Sequence, residues 1–128
     1  KPGGRIRIAT PDLQVYIELY TFPNDEPRKN FVKWSVDRYY PKVGIYSAPF
    51  VINNAFYNHN HRFLYDKKTL QDAMQQVGFI NIQLYAVGES EDENLRGVEA
   101  HYNIVGSAEM NRFETLILEG ERPTSATI

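Results

Sequence analysis

Arg5-Ile6-Arg7-Ile8-Ala9-Thr10-Pro11-Asp12-Leu13 is the stretch on which the fold turns. Its first five residues alternate polar and apolar with period 2, as a strand with one buried face does. The next three start a helix. Thr10 can cap it, Pro11 tolerates the first helical position because its missing N–H would go unpaired there, and Asp12 suits the positive end of the dipole. Leu13, Tyr16, Ile17 and Tyr20 follow at i, i+3, i+4 and i+7, which predicts one apolar helix face. The opening therefore reads strand, tight turn, helix. Lys1-Pro2-Gly3-Gly4 before it has the character of a turn after an earlier element, so a chain cut from something longer is expected.

Beyond this unit the pattern changes. Phe22-Pro23-Asn24-Asp25-Glu26-Pro27 ends the helix, and residues 22–65 hold 11 of the 17 aromatics without a sustained period. A short helix is expected over Asn30–Arg38, and Pro41 and Pro49 break the segment after it. The expectation is an irregular, aromatic-rich insertion over a more regular scaffold.

Regularity returns at Asp66, which can cap a helix over Lys67–Val77 with Leu70, Ala73, Met74 and Val77 on one face and Gly78 as its stop. Phe79–Val87 alternates again, with Ile80, Ile82, Leu84 and Ala86 to one side. Gly88–Arg112 is a long connection containing the acidic run Glu89-Ser90-Glu91-Asp92-Glu93, with a short helical piece near Asn94–Ala100. Phe113–Glu121 is the last strand. Its Leu116-Ile117-Leu118 places apolar groups on both faces, as expected of an inner strand covered on both sides. Residues 122–128 form a tail. The chain thus reads as one partial domain: strand and helix over 1–21, insertion over 22–65, helix and two strands over 66–121, then the tail.

Composition narrows the function. The 128 residues fit one domain, and 42% hydrophobic with 23% charged residues is an ordinary globular balance that excludes wholesale disorder. A net charge of −2 gives no electrostatic reason to expect nucleic acid or an anionic membrane surface. No apolar run approaches the ~20 residues of a membrane span, and a cytoplasmic protein is expected. With no cysteine there are no disulfides, thiolate nucleophiles or Cys-type zinc sites.

Few residues stand out for chemistry. His59 and His61 would point the same way in an extended segment, so a metal pair completed by Asp66 or Glu99 is geometrically available. The usual helical HExxH and HxxxH pairs are absent, however, and no metal site is assigned. His61, at the end of the insertion, is the favoured catalytic base among the three histidines, the third being His101. No G-x-S-x-G elbow, P-loop or G-x-G-x-x-G occurs. Asn53-Asn54 suits either ligand hydrogen bonding or a turn. The aromatic cluster suits either a pocket for a flat or sugar-like substrate or a core beneath a long loop.

In order, several segments resemble the C-terminal half of the class I S-adenosylmethionine-dependent methyltransferases, within the bacterial group of predicted methyltransferases. Lys1 to Leu13 is similar to the L-K-P-G-G-x-L-R-I-x-x-P-D-L at the family's fifth strand. Asn53-Asn54-Ala55-Phe56 and His61-Arg62-Phe63-Leu64-Tyr65-Asp66 resemble the loop and cap before its last helix. Leu70 to Phe79 resembles L-x-x-x-L-x-x-A-G-F, with Val77 in place of the usual Ala. Glu99-Ala100-His101 and Glu114 to Glu119 resemble late segments.

The resemblance implies half of a Rossmann-like sheet: strand, helix, insertion, helix, strand, strand, with the last strand antiparallel between the other two. It implies transfer of a methyl group to a small-molecule or saccharide acceptor. His61 would be the base, and Thr10, Asp12, Asn53, Asn54, Phe56 and Arg62 would bind the acceptor. Capping remains the other role for Thr10 and Asp12, as does fixing the loop to the helix start for His61 and Arg62. The family's glycine-rich cofactor turn and its acidic partner have no counterpart here, so this chain alone is expected to hold no S-adenosylmethionine, and no cofactor-binding residue is assigned. The first strand, without its neighbour, is expected to pair with a second copy of the chain, a loop or the missing half. A non-catalytic binding or oligomerisation module on the same half-fold, and more remotely a histidine-based metal hydrolase, are the alternatives.

Overall fold

The sheet is built around its most buried strand, Thr115–Glu121. The computed structural model describes residues 2–59, 61–99 and 107–124. In it β1 (Arg5–Pro11), β2 (Ile80–Tyr85) and β3 (Thr115–Glu121) form a sheet of order β1-β3-β2, both outer strands antiparallel to the middle one. Five α-helices are present among the described residues: α1 (Leu13–Thr21), α2 (Glu26–Tyr39), α3 (Ala48–Tyr57), α4 (Lys67–Gln76) and α5 (Ala108–Glu114). A 3₁₀ turn occupies Glu93–Leu95. The protein is thus mixed α/β with a small antiparallel sheet, and its last strand lies between the other two as expected. Among the described residues no helix is long and apolar enough to cross a membrane.

The chain divides into two compact units, one of residues 1–11 and 65–128, the other of residues 12–64. In the first, Leu70 and Met74 of α4 bury against Leu116 and Leu118 of β3, with Ile6, Ile8, Tyr65, Phe79 and Ile82 around them. Burying each such side chain stabilises the fold by about 1.5–3 kcal/mol. Register explains which residues meet: Ile8 lies opposite Leu118, and Ile6 opposite Gly120. Ile117, on the other face of β3, is fully buried too, as the two-faced apolar pattern predicts.

Several local expectations are corrected. β1 runs on through Thr10 and Pro11, which pair with Leu116 and Thr115. A residue before proline is pushed away from helical backbone, and the missing proline N–H is tolerated on an edge strand, so Thr10 extends the strand and does not cap the helix. Asp12 is the cap, accepting a hydrogen bond from the Gln14 N–H at 3.0 Å. On α1 the buried pair is Tyr16 and Leu19, whereas Ile17 and Tyr20 are exposed. Val77 is exposed as well, and α4 ends one residue before it.

β2 also departs from simple alternation. Asn81 takes φ +51°, and two residues of β2, Asn81 and Ile82, lie opposite one of β3, Gly120, between the Ile80–Glu121 and Gln83–Glu119 pairs. This bulge turns Ile80 to the face opposite Ile82 and leaves it exposed. The final strand begins at Thr115, two residues later than expected, because Ser107 caps α5 and the helix runs to Glu114. The helical piece expected at Asn94–Ala100 is the Glu93–Leu95 turn. Ala100 and the residues to 106 lie outside the described residues, as do 125–128 of the tail.

The second unit corrects the largest expectation. Residues 22–65 are mostly helical: α2 and α3 form there and pack with α1 and with each other, with Tyr16, Leu19, Phe31, Val36, Val51 and Ala55 buried. Asp25 accepts from the Arg28 N–H at 3.3 Å and starts α2, so the segment read as a helix end also begins the next helix. Pro49 stands in the first turn of α3, where its absent N–H costs no hydrogen bond, and does not break it.

Candidate functional site

α3 carries three of the residues expected to meet an acceptor. Asn53, Asn54 and Phe56 lie on this helix, not in a loop. Exposed Asn53 donates its side-chain amide to the Pro49 carbonyl at 2.8 Å, one turn back. Asn54 is buried, and its Oδ1 accepts from the Asn58 amide at 2.7 Å. Each bond spans one helical turn, so one end of each amide is engaged locally. Phe56 is half-buried.

His61 is half-buried and Arg62 exposed. The His61 ring lies 6.4 Å from that of His59, which meets Tyr39 edge-on at 5.0 Å. Trp34 continues this aromatic row, 6.1 Å from Tyr39. The carboxylates considered as partners for the histidines are engaged elsewhere. Asp66 caps α4 by accepting from the Thr69 N–H at 2.8 Å, and Glu99 pairs with Arg7. Among the described residues, no three His, Asp or Glu side chains are grouped to hold a metal ion. His101 lies outside them. Thr10 is half-buried in β1.

An opening in the helical unit is formed by other residues. A cleft of 570 Å³ runs between the end of α1, the first turns of α2 and the start of α3. Leu19, Val32 and Ala48 contribute its apolar surface, and Tyr20 and Tyr46 contribute exposed rings. Its charged lining is Arg28, Lys29, Lys33 and Glu26, three cations to one carboxylate. Of the six expected site residues in this unit, none lines it.

The polar groups of the cleft are held from outside. Lys33 Nζ lies 2.9 Å from Asp37 Oδ2 and 5.1 Å from the centre of the Tyr46 ring, while the Tyr46 hydroxyl donates to Asp37 Oδ1 at 2.8 Å. The Lys33 hydrogen bond holds the Asp37 carboxyl below its usual range, with the Tyr46 hydroxyl assisting. Arg28 donates to Glu18 at 2.6 Å and pairs with Asp25 at 3.1 Å, and its hydrogen bond lowers the Glu18 pKa. Lys29 is the least constrained, 3.8 Å from Glu26.

No protein family, curated protein or solved structure matches the chain. Its residues and their placement are therefore the only guide to function.

A second polar cluster stands on the sheet face away from α4. Arg7 donates through Nε to Glu99, through Nη1 to Glu119 at 2.5 Å and to the Glu89 carbonyl at 2.7 Å, and through Nη2 to the Ala86 carbonyl at 3.2 Å. Glu99 also accepts from the Gly88 N–H at 2.9 Å. Arg5 adds Glu121 at 2.6 Å and approaches Glu119 Oε1, a buried oxygen without a hydrogen bond among the described residues, to 3.9 Å. Burial opposes the Arg7 charge, but Glu99 and Glu119 outweigh it and raise its pKa. This arrangement ties the connection after β2 to the sheet.

Neither cluster was singled out from the sequence. The i,i+4 pair Lys33–Asp37 and the Asp25-x-x-Arg28 cap were visible signals of helix α2. The partners of Arg7 lie 79 to 112 residues away along the chain, beyond the reach of local pattern.

Proposed function

We propose that this chain is the acceptor-side half of a class I S-adenosylmethionine-dependent methyltransferase, acting on a small-molecule or saccharide acceptor. The observation that carries the reading is the sheet order β1-β3-β2 with the last strand reversed between two mutually parallel ones. The resemblance of residues 1–13, 61–66 and 70–79 to the family falls on β1 with the start of α1, on the segment that leads into α4, and on α4 with the turn after it, in the family's order; residues 53–56, matched to a loop, lie on α3. The helical segment between β1 and α4 stands where that family places acceptor-recognition insertions, and it contains a cleft of small-molecule size.

The described residues do not suit the cofactor itself. The turn from β1 into α1 is Thr10-Pro11-Asp12, without glycine, and Asp12 already occupies the helix start with a carboxylate. The sulfonium that supplies the methyl group is assigned to the other half of the enzyme. This chain's tasks are to orient the acceptor, exclude water and, where the acceptor loses a proton, receive it on His61. Arg62 is exposed beside it and available to an acceptor. The edge of β1 that no strand among the described residues covers is assigned to the other half or to a second copy of the chain. That edge also favours the second reading, a binding or oligomerisation module without catalysis.

Methyl transfer from labelled S-adenosylmethionine by the full-length protein tests the first reading. His61→Ala should lower the rate about 10²–10⁴-fold, the usual contribution of a general base. The 128-residue chain alone should show no calorimetric binding of the cofactor. Micromolar binding by that chain, or full-length protein without transfer, would refute the assignment.

A further inference from the structure

We propose that the cleft between α1, α2 and the start of α3 binds one uncharged sugar unit of a saccharide. Its volume, 570 Å³, lies within the ~300–1,000 Å³ typical of small-molecule sites. The charged groups around it are engaged with one another. Arg28 pairs with Glu18 and Asp25, Lys33 with Asp37, and Lys29 with Glu26, so four carboxylates surround three cations. An anion would meet a small net negative charge, and a cation would meet carboxylates that are already paired. Neither sign gains much, and the balance favours a neutral ligand.

The neutral polar groups of the lining, by contrast, are uncommitted. Asn24 and Asn30 are exposed, and their amides make no hydrogen bond among the described residues. Ser47 stands at the start of α3, yet its hydroxyl makes no capping bond. An amide offers donors and an acceptor, and a hydroxyl is both, which is the mixed pattern that sugar hydroxyls require. Tyr46 supplies the apolar complement. Its ring is 49% exposed, with the hydroxyl bonded to Asp37 and Lys33 against one face, so it is held in place without being covered. The negatively polarised face of such a ring attracts the C–H groups along one side of a sugar. An aryl ligand could stack there too, but it would shut Asn24, Asn30 and Ser47 from water without partners, a penalty that a sugar avoids. His61 and Arg62 do not line the cleft, so the unit bound here is not one that would lose a proton to His61. The inference holds with or without the methyltransferase reading.

Titration of the full-length protein, followed by calorimetry and by saturation transfer to the ligand, tests it. The ligands are the methyl glycosides of glucose, galactose, mannose and N-acetylglucosamine, with glucuronate, glucosamine and phenol as controls. At least one neutral glycoside should bind about tenfold tighter than any control. Raising salt from about 0.05 to about 0.5 M should leave that affinity within about twofold, because no net charge is exchanged. Asn24→Ala and Asn30→Ala should each weaken the binding several-fold. Tyr46→Ala should weaken it about tenfold, and Tyr46→Phe, which keeps the ring, should retain most of it. Asn24 and Asn30 are exposed, so their variants remain a valid test if the Tyr46→Ala protein does not fold. Glycoside binding no tighter than that of the controls, a steep fall with salt, or full binding by the Asn24→Ala/Asn30→Ala protein overturns the proposal. Glycoside binding in a protein that transfers no methyl group would retain this site and remove the enzymatic reading. Methyl transfer by a protein that binds none of the glycosides would do the reverse.

Discussion

Arg7 and Glu119 face each other across the β1–β3 pair, with the guanidinium Nη1 donating to Oε2 at 2.5 Å. Both side chains are almost wholly buried, at 4% and 3% exposure. Charges out of water are tolerated only when paired and hydrogen-bonded, and here one guanidinium serves two carboxylates and two carbonyls.

Removing that guanidinium should therefore be severe. Arg7→Met leaves Glu99 and Glu119 buried without their cation, and a loss of about 3–5 kcal/mol is expected from urea unfolding. Arg7→Lys should recover only part of it, because one ammonium cannot reproduce the planar fork that reaches partners on several sides. A loss below about 1 kcal/mol for Arg7→Met would show that the cluster is not buried in solution.

Acid should weaken the same region. Burial pushes the Glu99 carboxyl up, but the bonds from Arg7 and the Gly88 N–H outweigh it and hold its pKa below the ordinary value of about 4.3. Because the folded value lies below the unfolded one, this contribution is complete above the ordinary value and is lost as pH falls through the folded one. Urea midpoints between pH 7 and pH 3 should fall toward acid, and less steeply in Glu99→Gln than in the parent protein. Equal slopes would remove Glu99 from the account.

Gly120 leaves little room for a side chain. A Cβ there would stand 3.0 Å from Met74 Cε, 3.2 Å from Phe79 Cβ and 3.5 Å from Ile82 Cγ1. The methionine tip can move, but Phe79 Cβ is fixed to its backbone, so Gly120→Ala should cost about 1–3 kcal/mol through overpacking. Gly120→Ala combined with Met74→Ala should be less destabilising than the sum of the two, since they share one space. Thermal unfolding of the four proteins measures this coupling.

Helix starts offer a milder control. Asp66→Ala removes the acceptor for the Thr69 N–H and should cost about 0.5–2 kcal/mol. Asp66→Asn, which keeps an acceptor oxygen, should recover most of the loss at neutral pH. Equal losses in the two variants would show that charge, not the cap, is what α4 requires.

Much of the fold was legible locally. Alternation located β1, the Asp66 cap and apolar spacing located α4, and the two-faced Leu116-Ile117-Leu118 identified the central strand. The helix expected over Asn30–Arg38 lies within α2, but the start of α2 and the whole of α3 were not legible, because Pro27 and Pro49 have the look of breakers in the sequence, whereas each stands at a helix start. Proline breaks a helix interior but is tolerated in the first turn, and the residue two before it, Asp25 or Ser47, is the local sign that separates the cases. The candidate residues fared likewise. Asn53 and Asn54 have turn-forming chemistry, yet both lie within α3, where Asn53 bonds back to the Pro49 carbonyl and Asn54 accepts from Asn58 at the helix end.

By itself the sequence determined what period and capping encode: an α/β chain, one inner strand buried on both faces, and a helix starting at Asp66. These depend on neighbours a few residues away, which is the range over which backbone hydrogen bonding and side-chain alternation act. Tertiary structure alone decided that Arg7 closes on Glu119 and Glu99, that a bulge at Asn81 turns Ile80 over, and that Lys29, Lys33 and Tyr46 share a cleft. Those outcomes depend on register and on helices meeting across long separations, where many pairings satisfy the same local pattern and only the packed whole selects among them.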